Sequence, residues 1–82
     1  MYDPYVYGPE EIESFLREGR EKGASHLVIG IDRFDYNEWH EFVIGVPLEA
    51  AIRRLHKPEE MQEVYEIYDI ATGKKSRYKG GC

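Results

Sequence analysis

Few residues in this chain have the type and spacing for catalysis. Asp32 and Asp35 flank Arg33-Phe34, and two nearby carboxylates can hold a hard cation or share acid–base work. Residues three apart on a strand point to opposite faces, so the pair converges only if the chain turns early. Asp35 reads better as a turn residue bonding its own backbone. The three histidines, His26, His40 and His56, show no zinc spacing, and the single cysteine, Cys82, rules out both Cys-x-x-Cys and an internal disulfide. Ser14, Ser25 and Ser76 lack an elbow motif, and there is neither a P-loop nor Gly-x-Gly-x-x-Gly. No catalytic residue, metal ligand or cofactor site is therefore expected, and the chain reads as a non-enzyme. A small hydrolase using Asp32, Asp35 or His40 is the weakest alternative.

Binding chemistry is better represented. Seven tyrosines, three phenylalanines and one tryptophan stand in 82 residues. Tyrosine and tryptophan bury large area while keeping a polar handle, which suits recognition surfaces. Arg33, Tyr36, Trp39 and His40 cluster around one predicted turn, and Lys74, Lys75, Arg77 and Tyr78 close the chain. Together they are the candidate ligand-binding set: aromatic rings to stack a base, cations to hold phosphate. The alternative use of the tyrosines is to fill the rim of a small core.

Charge is segregated. All sixteen acids lie at or before Asp69, against seven cations in the same stretch. Only Lys74, Lys75, Arg77 and Lys79 follow, so a body of charge −9 carries a tail of +4 and the total is −5. General nucleic-acid binding is disfavoured by that total. Self-association, a local anion site or a solvated surface with a basic final strand all fit the segregation. The longest apolar run, Leu27 to Ile31, is too short to cross a bilayer. The start, Met1-Tyr2-Asp3-Pro4, has no basic or apolar leader, so a secretory signal is not expected, and a cytoplasmic setting follows from that and the lack of disulfides.

The elements that must position these groups centre on Ser25 to Val46. Two runs rich in β-branched and aromatic residues flank a polar break at Asp35-Tyr36-Asn37-Glu38, the pattern of a β-hairpin. Leu27, Ile29 and Ile31, with Phe42, Ile44 and Val46, form one apolar face. The other face mixes His26, Val28, Gly30, Asp32 and Phe34 with Trp39, Glu41, Val43 and Gly45. It is apolar enough for a second layer or subunit to cover part of it. Before the hairpin, Pro9 opens a helix with Glu10 and Glu11 in its first turn, an Ile12, Phe15, Leu16 stripe, and Gly23 as its stop. After it, Pro47 opens a second helix with Leu48, Ala51, Ile52 and Leu55 inward, ending before Pro58. Gln62 to Ile70 is predicted as a strand although helix competes, and Lys74 to Lys79 as a short edge strand. Residues 1–8 form an extended aromatic arm and 80–82 a loose tail. The result is a single small α+β domain in the order α-β-β-α-β-β, a two-layer sandwich with two helices on one face of an antiparallel sheet.

Leu27 to Tyr36, read as a strand leading into Asp32-Arg33-Phe34-Asp35-Tyr36, resembles the strand-and-turn signature of small uncharacterised proteins of phages and bacterial mobile elements. Met61-Gln62-Glu63-Val64-Tyr65 is similar to that group's later strand. The chain departs from the pattern at Trp39-His40-Glu41 and in its basic tail. The resemblance implies a phage-like context and carries no catalytic residue. In that context the expectation is a counter-defence binder that sequesters a nucleotide immune signal as a homo-oligomer. The alternative is an acidic protein inhibitor of a nucleic-acid-handling host defence complex such as a CRISPR effector.

Overall fold

The computed structural model describes residues 6–78. The predicted arm falls partly, and the predicted tail entirely, outside these residues. Helix α1, Pro9–Lys22, starts with its proline at the first position, and the Glu11 carboxylate accepts the Gly8 backbone N–H at 3.0 Å. It stops at Gly23, which takes the left-handed conformation at φ 76° that favours glycine. Strands β1, His26–Asp32, and β2, Glu38–Val43, form the hairpin. Helix α2, Leu48–Leu55, follows, then a 3-10 turn at Pro58–Glu60, strand β3, Gln62–Asp69, and the short β4, Lys75–Arg77. The predicted order and antiparallel sheet are borne out, with spatial strand order β2-β1-β3-β4. Among the described residues no helix is long and apolar enough to cross a membrane.

The helices divide between the two faces of the sheet rather than sharing one. Successive strand residues point to opposite sides. Leu27 and Ile29 pack with Ala24 and Ile70 against Ile12, Phe15 and Leu16 of α1. Val28 packs with Val43, Val64 and Ile67 against Ala51 and Ile52 of α2. The second face was mixed in sequence because its apolar members are few, yet four aliphatic side chains suffice to seat an eight-residue helix. Gly19 of α1 permits close approach on the first face: a Cβ there would lie 2.6 Å from Ile70 Cδ1 and 3.2 Å from Phe42 Cε1.

A bulge explains why β3 looked partly helical. Ile29 pairs with Glu66 and Gly30 with Val64, leaving Tyr65 as an extra residue. Val64 and Ile67, three apart, therefore share the α2 face. Two further expectations shift. β2 ends at Val43, and Gly45 turns the chain at φ 72°, so Ile44 and Val46 leave the predicted core face and stand 49% and 46% exposed. β1 ends at Asp32, so Phe34 sits in the hairpin loop at 80% exposure instead of on the strand.

Candidate functional site

The candidate residues fall in separate places. Arg33 and Tyr36 occupy the hairpin tip. There the Asp32 side chain accepts the Phe34 N–H at 2.8 Å and the Asp35 side chain accepts the Asn37 N–H at 3.0 Å, so both carboxylates organise the loop. A side-chain hydrogen bond with Gln62, helped by that Phe34 amide, holds the Asp32 carboxyl below its ordinary range. Arg33 binds the Glu63 carboxylate at 2.7 Å across the strands. Tyr36 and Met61 both adopt φ 62°, a rare backbone state for residues with a Cβ. They line a shallow hollow of about 380 Å³ with Arg33, Pro58 and Glu63.

Trp39 and His40, neighbours in sequence, point to opposite faces, so one ligand cannot stack on both rings. Trp39 pairs with Gly30, and its indole lies directly over that glycine on the α2 side. The indole Nε1 is buried and has no hydrogen-bond partner among the described residues. A hollow of about 330 Å³ is lined by Trp39, His40 and Glu41 with Arg54, Leu55, Lys57 and Gln62, so the two predicted neighbours both border it although their rings face opposite ways. His40 lies under α1, stacked on Phe15 at 3.9 Å between ring centres and edge-on to Phe42. The Tyr7 hydroxyl and His40 Nδ1 share a hydrogen bond of 3.1 Å. Burial lowers the imidazole pKa, partly offset by Glu18 and Glu41. Burial raises the pKa of the nearby Glu38 carboxyl, against a stabilising hydrogen bond from the Tyr7 backbone N–H. His40 thus works as a packed aromatic.

Lys74, Lys75 and Arg77 lie at the β4 edge, away from the tip. Lys75 pairs with Glu66 at 3.5 Å, and Arg77 stands opposite Glu66 in the ladder. Arg33's partner Glu63 is three residues further along β3, roughly 10 Å at strand rise. The sequence-based idea of one phosphate clamp from Arg33 and the tail cations is thus not what the fold assembles.

Tyr78 turns the other way. Its backbone N–H donates to the Tyr65 carbonyl at 3.0 Å, which brings its ring to α2. The ring meets the His56 imidazole edge to face, 5.1 Å between centres at 74°. Together with Glu49, Ile52 and Arg53 they line a cleft of about 430 Å³ between α2 and the strand edge. That volume lies in the range of small-ligand sites. The Val64 backbone N–H donates to His56 Nδ1 at 3.0 Å, so the neutral ring carries its proton on Nε2. Among the described residues Arg53 forms no ion pair, in contrast to Arg33 and Lys75. The cleft therefore gathers one aromatic ring, one guanidinium without an ion pair among the described residues, and one imidazole donor fixed by the backbone.

Of the predicted set, only Tyr78 enters this cleft. Glu49, Arg53 and His56 were visible in sequence only as the outer face and end of a helix. Their local signal is spacing: Glu49 and Arg53 are four apart, and His56 follows three later. No group of three His, Cys, Asp or Glu residues among the described ones is placed to hold a metal ion. No protein-family model, curated protein or solved structure matches the chain.

Proposed function

We propose that this chain is a non-enzymatic binding protein that takes a nucleotide-sized anion in the cleft between α2 and β4. The observation that carries the reading is the Tyr78–His56 pair lining one cavity with Arg53, which forms no ion pair among the described residues. Tyr78 offers a stacking surface for a base, Arg53 a bidentate phosphate donor, and His56 Nε2–H a second donor. Glu49 is left to accept from a sugar hydroxyl or an exocyclic amine. With the phage-type resemblance, the ligand is a nucleotide signal of host defence, sequestered in the host cytoplasm without turnover.

Calorimetric titration with a panel of mono-, di- and cyclic dinucleotides tests this. Arg53→Ala and Tyr78→Ala should each weaken binding by roughly tenfold or more, at about 1.4 kcal/mol per decade. Arg33→Ala should leave affinity unchanged. Equal affinity in all three variants would remove the cleft as the site.

The hairpin tip favours a second reading, that of a protein inhibitor. Phe34, Tyr36 and Met61 are exposed there, at 80%, 52% and 48%, beside Asp35, Glu59 and Glu60. Exposed aromatic and Met anchors with an acidic rim suit docking on a basic protein groove. Such binding should weaken steeply with salt and with Phe34→Ala, while nucleotide titration stays silent.

A further inference from the structure

We infer that the face formed by the end of β2 and the start of α2 is a two-fold interface with a second copy of this chain. The two edges of the sheet are treated differently. β4 is three residues long, fully exposed, and carries Lys75 and Arg77 beside Lys74, devices that discourage strand pairing. β2 is the other edge among the described strands, six residues long, with no lysine and no proline. Its continuation bears Ile44 and Val46, aliphatic residues about half exposed.

Beside them lies a hollow of about 490 Å³, lined by Glu41, Phe42, Ile44, Val46, Ala50, Ala51 and Arg54. Two-fold contact requires one patch to complement itself. This patch has the means. Ile44 and Val46 project, while the small side chain of exposed Ala50 leaves room on the helix. Glu41 and Arg54 place one charge of each sign on the rim, and neither forms an ion pair within the chain among the described residues. A two-fold axis can set Glu41 of each copy against Arg54 of the other. A rim with no net charge also fits a second copy better than a strongly basic or acidic partner. None of these residues lines the ligand cleft.

The test is subunit mass by light scattering and native mass spectrometry over a range of protein concentration, without ligand. The wild type and Phe34→Ser, which removes a still more exposed apolar residue elsewhere, should form the same dimer. Ile44→Lys with Val46→Lys should give a folded monomer by circular dichroism. Glu41→Arg alone should weaken the dimer, and adding Arg54→Glu should restore it. The charge pair decides the matter if the double lysine variant fails to fold. A wild type that stays monomeric throughout, a dimer that survives both lysines, or a charge swap that restores nothing would overturn the interface. Tyr78→Ala should leave subunit mass unchanged, which keeps this outcome separate from the fate of the ligand reading.

Discussion

Replacing Gly30 by alanine should be costly for a reason readable atom by atom. A Cβ on Gly30 would lie 2.1 Å from Trp39 Cζ2 and 2.5 Å from both Cε2 and Cη2. Three ring atoms are struck at once, including one at the ring fusion, so no small tilt relieves the clash. The whole indole must move, and it packs against the core under α2. Overpacking of this kind costs about 1–3 kcal/mol. An 82-residue domain unfolds with an entropy of about 0.17 kcal/mol/K, at ~2.1 cal/mol/K per residue. The melting temperature should therefore fall by about 6–17 °C. The same change in a Trp39→Leu background meets no ring. There alanine should be neutral or stabilise by up to about 1 kcal/mol, since glycine is a poor strand residue. Calorimetric or urea unfolding of the four proteins gives the coupling directly. An equal loss from Gly30→Ala in both backgrounds would refute the account of this contact.

Other consequences are smaller. His40 has a folded pKa below its ordinary 6.5 because of burial, so the unfolded chain takes up the proton first as pH falls. Its contribution is complete about one pH unit above 6.5 and is lost as pH falls through that value, until the folded ring also protonates. The melting temperature should drop between about pH 7.5 and about pH 5.5, and the His40-dependent part of that drop should vanish in His40→Phe. Glu38 acts with the opposite sign, since its raised pKa lets the folded state take up a proton first as pH falls towards 4.5. The comparison is therefore cleanest in a Glu38→Gln background. Arg33→Ala removes an ion pair with half-exposed partners and should cost under about 1 kcal/mol in urea unfolding; a larger loss would mean the hairpin tip is tied more tightly than one exposed pair allows. Ile67→Ala, in the core beneath α2, should cost about 2–5 kcal/mol, and a smaller value would mean that α2 collapses onto the gap.

Much of the scaffold was legible because it rests on local signals. Pro9 and Gly23 bound α1, the alternation of Leu27, Ile29 and Phe42 gives the hairpin, and Leu48, Ala51, Ile52 and Leu55 give α2. What escaped depended on contacts between distant segments. The second apolar face of β1 offers Val28 alone between His26 and Gly30, and becomes a core only when Val43, Val64 and Ile67 join it. The strand pattern through Ile44 and Val46 was broken by one left-handed glycine, Gly45. In the sequence the candidate binding residues share only their type and their place near a turn and a tail. The register then placed Trp39 and His40 on opposite faces and neutralised Arg33 with Glu63 and Lys75 with Glu66. The α2–β4 cleft needed the one long-range fact that local pattern does not carry, namely that Tyr78 returns beside His56.

Nucleotide binding in the α2–β4 cleft is tested most directly by a ¹⁵N-resolved NMR titration of the whole chain. Shifts should concentrate at Glu49, Ile52, Arg53, His56 and Tyr78, which line one cleft, with Arg33 and Tyr36 unmoved. Shifts at the hairpin tip instead, or none across the panel at saturating ligand, would contradict it.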